Sequence, residues 1–156
     1  MKVNLGCGND MRSGYVNVDK MPQGTMPKDT YRQGDIGSID WLAEDASVEE
    51  IVALDCLEYL TVTVMRNALL NWAQKLTQGG VLKILVPDCH AVAKAFALGQ
   101  FDLSEYSTIM FGTQTHGDDR HSVIDTNTLL DILTGAGLTI SLKRYDGVAV
   151  YVEATK

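Results

Sequence analysis

A chain of 156 residues with 46% hydrophobic content is large enough to bury a core of its own, and it reads as one domain over residues 1–156 without a linker. Its formal charge of −7 sets the long-range field against a nucleic-acid backbone, so DNA and RNA are disfavoured partners. Three cysteines, odd in number and without CxxC spacing, argue against disulfides or a zinc site, and no apolar run approaches the ~18 residues that a membrane helix needs.

The N-terminus enters a strand at once and leaves no room for a signal peptide, so a soluble, cytoplasmic protein with reduced thiols is expected. Residues 2–5 form a short strand ending in Gly6-Cys7-Gly8, where the backbone can turn sharply with no Cβ in the way. A second short apolar run closes on Asp19, eleven residues after Gly8. A glycine turn after one strand and a carboxylate at the tip of the next suit a ligand that carries a ribose. A dinucleotide site expects a third glycine and an acidic residue about 20 residues on. Here Asn9 and Asp10 follow Gly8, which argues against NAD and FAD.

Residues 20–30 hold two of the three prolines and no apolar period, so they read as a loop. A short strand over 31–34 leads to Asp35 and Ile36, a second carboxylate at a strand end, and Ser38 reads as the cap of a short helix through Trp41 and Leu42. Ser47 and Glu50 resemble a capping box, but the run from Ile51 to Leu54 favours a strand over 48–54. Met65, Ala68, Leu69, Trp72 and Leu76 fall at helical spacing, with Gly79-Gly80 as the stop, and 81–86 is a buried strand ending at Pro87-Asp88. Trp72 and Trp41 read as core, and the cysteines as small packing residues. Helices are expected over 89–98, 104–111 and 126–136, with a polar loop before the last. Its His116, Asp118, Asp119 and His121 read as loop residues rather than a metal site. Residues 138–152 alternate as an antiparallel hairpin around Asp146-Gly147.

Four strand-to-loop junctions carrying Gly or Asp, then a terminal hairpin, resemble the class I S-adenosylmethionine-dependent methyltransferases. Within that class the chain is most similar to the small type-11-like domains whose first motif reads LNLGCG with a short crossover to NVD, here Val3-Asn4-Leu5-Gly6-Cys7-Gly8 and Asn17-Val18-Asp19. Further matches are Leu57-Glu58, Lys75-Leu76, Gly79-Gly80, Val86-Pro87-Asp88, Phe111-Gly112, His121 and Ala136-Gly137-Leu138, so the resemblance covers nearly the whole chain. It implies an α/β fold with a Rossmann-like seven-stranded sheet, mostly parallel with an antiparallel last strand and helices on both faces. It also implies S-adenosyl-L-methionine as cofactor and S-adenosyl-L-homocysteine as product.

Carried over by position, the resemblance implies that Gly6, Cys7 and Gly8 wrap the methionine part of the cofactor and Asp19 holds the ribose hydroxyls. Asp35 would bond the adenine amino group beside the main chain of Ile36, and Leu54 and Asp55 would face the cofactor's amino group and methyl. Asn4, Leu5, Asn9, Lys20 and Met21 complete the implied cofactor-binding set. Asp55, Asp88, His116 and His121 are the candidates for taking a proton from the acceptor, histidine being best matched to neutral pH. The chain departs from the family where Asp55 and Tyr59 stand in place of histidines and Gln78 in place of a proline, and it starts at the first strand, without the helices many relatives use as a lid. The expected activity is methyl transfer to a small molecule, a glycan or a protein side chain; the alternative is a non-catalytic S-adenosylmethionine-binding module or a subunit that needs a partner.

Overall fold

The computed structural model describes residues 1–21, 27 and 29–156, so most of the loop expected at 20–30 lies outside the described residues. The strands are β1 Lys2–Leu5, β2 Val16–Asp19, β3 Tyr31–Gln33, β4 Val48–Leu54, β5 Leu76–Pro87, β6 Thr139–Asp146 and β7 Ala149–Thr155. They form one seven-stranded sheet in the order β3-β2-β1-β4-β5-β7-β6. Strands β1 to β5 pair in parallel, and β7 runs antiparallel to both its neighbours. The helices around it are α1 Val62–Lys75, α2 Cys89–Ala97, α3 Leu103–Phe111 and α4 Thr126–Gly135. The expected mostly parallel, Rossmann-like sheet is therefore present.

Strand pleating decides which residues meet the helices. Val3 and Leu5 of β1, Ile51 and Ala53 of β4, Leu82 and Ile84 of β5, and Val150 and Val152 of β7 share a core with Leu69 and Trp72 of α1 and Leu129 and Leu133 of α4. Each large apolar side chain buried there contributes about 1.5–3 kcal/mol relative to leaving it in water. On the other side of the pleat stand Asn4 and Asn17, paired in register across β1 and β2 and almost fully buried. The Asn4 Nδ2 donates to Asn17 Oδ1 (2.9 Å) and to the Asp10 carbonyl (2.6 Å), while the Arg12 N–H donates to Asn17 Oδ1 (2.8 Å). These amides hold residues 6–15 in an irregular crossover that needs no helix, which is how so short a connection joins two parallel strands.

Four local expectations change. The helix expected after Ser38 is a single turn closed by Leu42 and Ala43 N–H groups on the Ile39 carbonyl, and the Ile39 N–H is taken by Asn71 Oδ1 on α1 instead of by a cap. Trp72 is fully buried, but Trp41 is 49% exposed and packs against Gly34, where an added Cβ would sit 2.2 Å from the ring. Gly79 and Gly80 do not end α1, which stops at Lys75; they lie inside β5 as an irregularity opposite Val48 and Glu50, exchanging hydrogen bonds with Lys156. The two-residue hairpin loop is Gly147-Val148, one position later than expected, because Asp146 pairs with Ala149 and Gly147 takes the positive φ of 59°.

Candidate functional site

In a parallel sheet, ligand sites form beyond the carboxyl ends of the strands where the strand order reverses, here between β1 and β4. A cleft of about 710 Å3 opens there, within the range usual for small-molecule sites. Its floor is the turn after β1. Gly6 has φ +62°, and a Cβ on it would sit 2.3 Å from Cys56 Cβ, so its missing side chain lets the β1 and β4 ends pack together. Gly8, at φ +46°, differs: a Cβ there would meet nothing within 4 Å, so bare main chain borders open space.

The carboxylate of Asp19 is fastened to this turn. Its Oδ2 accepts from the Gly8 N–H at 2.8 Å and its Oδ1 from the Met21 N–H at 2.9 Å. Each oxygen keeps a lone pair for a further donor. Asp35 lies at the same edge, its Oδ1 accepting from the Gly37 N–H (2.7 Å) and its Oδ2 3.8 Å from Lys20 Nζ. Ile36 lines the cleft while its carbonyl is held by the Trp72 indole N–H (2.9 Å).

The opposite wall comes from far along the chain. Asp55 follows β4 in a left-handed conformation (φ 49°), its N–H tied to the Leu85 carbonyl (2.9 Å) and its side chain turned to the cleft. Burial raises its carboxyl above the ordinary range. Tyr59 donates to Asp118 Oδ1 (2.7 Å); burial and that carboxylate push the phenol up to about 12, so it remains a donor at any working pH. Asp118 also accepts from the Thr113 N–H (2.8 Å), and these bonds lower its own pKa. His116, Asp119 and His121 complete this wall, and Gly117 touches the Met21 thioether across the cleft, where an added Cβ would sit 2.6 Å from sulfur.

Behind this wall, Glu58 is 3% exposed, and neither carboxylate oxygen has a hydrogen-bond partner. Arg120 Nη1 stands 3.7 Å away, and the Glu58 carbonyl holds the His121 and Ser122 N–H groups (2.8 and 3.2 Å). Burial pushes the Glu58 carboxyl up to about 7, with the nearby Asp55 and Asp118 charges adding to the rise and Arg120 opposing it.

The cleft thus gathers Gly6, Gly8, Asp19, Lys20, Met21, Asp35, Ile36, Asp55, His116 and His121 of the residues singled out from the sequence. The rest do not line it. Asn4 spends its amide on the crossover, Leu5 is fully buried core, and Cys7 is 4% exposed with a thiol that burial and Asp19 raise to about 11. Neither Asn9 nor Leu54 borders the cleft. Asp88 is a correction of another kind. It is 5% exposed and caps α2, accepting from the His90, Ala91 and Thr126 N–H groups and the Thr126 hydroxyl. Those donors outweigh burial and lower its pKa, so it is a scaffold carboxylate and not an available base. Cys56, Leu60, Thr61 and Val64 line the cleft without any signal in the sequence, whereas Tyr59, Asp118 and Asp119 stood in stretches that were legible.

No protein-family model matches the chain, and no curated protein does either. Solved structures do. An S-adenosylmethionine-dependent methyltransferase from Mesorhizobium loti superposes with a TM-score of 0.70 at 15% identity, over 99% of this chain and 90% of that one. The fold is that of the class I methyltransferases. A second such enzyme, from Methanosarcina mazei, gives 0.68 at 14% identity over 99% and 91%. The methyltransferase of a Haloferax volcanii complex with a methyltransferase activator gives 0.67 at 14% identity over 99% and 81%. Likeness at this identity carries the methyltransferase fold, and it extends over nearly the whole chain.

Proposed function

We propose that this chain is a single-domain, type-11-like S-adenosylmethionine-dependent methyltransferase acting on a small molecule, a glycan or a protein side chain. The observation that carries the reading is the 2.8 Å hydrogen bond from Gly8 N–H to Asp19 Oδ2 at the rim of the cleft. It brings the glycine turn and the strand-end carboxylate, separated in sequence, to one place where bare peptide and an acid face open space. That arrangement fits the adenosine of S-adenosyl-L-methionine: the free lone pairs of Asp19 suit the vicinal hydroxyls of a ribose, and the open side of Gly8 leaves room for the methionine part. Asp35 and the Ile36 main chain stand where an adenine edge would be read. Asp55, just past the C-terminal end of β4, would face the cofactor's amino group and methyl.

Bound S-adenosyl-L-methionine supplies an electrophilic methyl group on sulfur and leaves as S-adenosyl-L-homocysteine. What the chain contributes is alignment, an effect that can lower a barrier by roughly 7–11 kcal/mol. Asp55, His116 and His121 line the same cavity and are the groups proposed to take a proton from an acceptor.

Calorimetric titration with S-adenosyl-L-methionine and S-adenosyl-L-homocysteine tests the reading. Micromolar binding of both is expected; binding of neither would end it. A partner-dependent form of the same activity is the second reading, favoured by the Haloferax volcanii neighbour solved with its activator; turnover that appears only when a partner is added would select it. Among the described residues no helix is long and apolar enough to cross a membrane. With three free cysteines, a cytoplasmic site of action is part of the proposal.

A further inference from the structure

Four buried polar atoms among the described residues have no hydrogen-bond partner: both carboxylate oxygens of Glu58, Nε of Arg120 and Oγ of Ser122. They sit together behind the cleft wall, where Arg120 Nη1 comes within 3.7 Å of Glu58 Oε1 and the Ser122 N–H donates to the Glu58 carbonyl. Folded proteins leave few such atoms, and each asks for a cause. Three of the four belong to Glu58 and Ser122, which are 3% and 7% exposed and line a cavity of about 10 Å3 between α1, α3 and the end of β5. Apart from Cys89, the rest of its lining is apolar, with Met65, Val86, Ile109 and Ile124 among it.

Size and charge together select the occupant. The volume is close to the ~10–15 Å3 that one water needs, and a cavity with polar groups on its wall is the kind that water fills, whereas apolar ones stay empty. An anion would meet the Glu58 carboxylate, and a cation would meet the Arg120 guanidinium beside it. A water molecule escapes both objections, because it is neutral and can donate to the carboxylate while accepting from the Ser122 hydroxyl. It also suits either form of Glu58, whose carboxyl burial pushes up to about 7, since it can turn to donate to the ionised group or to accept from the neutral one.

The same two residues are already joined through the main chain. The Glu58 carbonyl accepts from the N–H groups of His121 and Ser122 at 2.8 and 3.2 Å, and from this anchored stretch His121 reaches the cleft. We propose that one internal water joins the Glu58 carboxyl group to the Ser122 hydroxyl, and that Glu58, through it, is a positioning residue that fixes His121 at the cleft. Bonds to a single carbonyl leave the segment free to pivot about it; a second link from the same residue to Ser122 removes that freedom. The site stands whatever ligand the cleft takes.

A high-resolution crystal structure places ordered water, and magnetic relaxation dispersion of water oxygen counts the molecules held longer than the protein takes to tumble. For the unaltered protein, a density peak within hydrogen-bonding distance of both the Glu58 carboxyl group and Ser122 Oγ is expected. Ser122→Val, which fills the cavity with methyl groups, is expected to lose one long-lived water. Ser122→Ala, the milder change, keeps the room and removes the hydroxyl, so faster exchange of that water is expected. Positioning is read from the imidazole nitrogen resonances of the folded protein. Glu58→Gln keeps a side chain able to bond the water and is expected to leave His121 close to its original signal. Glu58→Leu, apolar and of similar size, is expected to shift His121 and to leave His90, exposed on α2, unmoved. Both variants remove the charge, so equal His121 signals in the two would overturn the positioning role. A direct hydrogen bond between the Glu58 and Ser122 side chains, an ion in the cavity, or an unchanged count of long-lived waters in Ser122→Val would overturn the water site.

Discussion

Asp19 joins two parts of the chain that must act together, because its two oxygens hold the N–H groups of Gly8 and Met21 at 2.8 and 2.9 Å. In the proposed complex it also accepts from two ribose hydroxyls, each such charge-assisted bond being worth about 1.5–3 kcal/mol. Asp19→Ala is expected to cost about 2–3 kcal/mol of S-adenosyl-L-methionine affinity by calorimetry; an unchanged affinity would remove the ribose assignment. Gly6 answers to packing instead. With Cys56 Cβ 2.3 Å from the position of its missing Cβ, Gly6→Ala is expected to lower unfolding free energy by about 1–3 kcal/mol in urea. For Asp88, the expected result of Asp88→Ala is a loss of about 2–3 kcal/mol of stability, since a cap and a buried hydroxyl lose their acceptor together. The turnover of the molecules that remain folded should be unchanged, and a fall in turnover at intact stability would return Asp88 to the list of bases.

At the scale of elements, the segment between α3 and α4 decides what the cleft contains, and Glu58 is its anchor. The Glu58 carbonyl holds His121 and Ser122, and its side chain faces Arg120. The folded protein binds the Glu58 proton more tightly than the unfolded chain does, its carboxyl rising from 4.5 to about 7 mainly through burial. Stability from this group is therefore full below about pH 4.5 and is lost as the pH rises to about 7. Asp40, Asp88 and Asp118 have lowered values, so they act with the opposite slope and at more acid pH. Denaturation of the wild type and of Glu58→Gln between pH 4.5 and 7.5 isolates the Glu58 contribution. The wild type is expected to lose about 3 kcal/mol relative to the variant across that interval, and parallel curves would show that folding does not raise the Glu58 pKa.

The whole molecule couples the cleft to the core. The described lining of the cleft comes from strand ends, the loops that follow them and the first turn of α1, so a ligand that fills it binds only the folded chain. S-adenosyl-L-homocysteine at 100 times its dissociation constant should then add about 2.7 kcal/mol to the unfolding free energy. Thermal melts with and without the ligand read this as a raised midpoint, and the shift should shrink in Asp19→Ala at the same ligand concentration. A midpoint that does not move in the wild type would mean that the cleft is not where the ligand binds.

The sequence by itself determined the strand–helix alternation, the glycine turn with its strand-end acids at Asp19 and Asp35, and the final hairpin. Those are read from local periodicity and turn chemistry, which neighbouring residues impose on one another. Where local signals competed, they misled: Gly79-Gly80 suits a helix stop, but pairing with Lys156 draws both glycines into β5. Only the tertiary structure decided which carboxylates face the cleft. Asp55 and Asp88 both follow a strand, yet one is turned into the opening and the other is consumed capping α2. Likewise Gly117 meets Met21, and Asp118 and Asp119 join Asp19 in one cavity, across about a hundred residues of chain. Such meetings are set by where the sheet order carries each loop, and no local pattern records that.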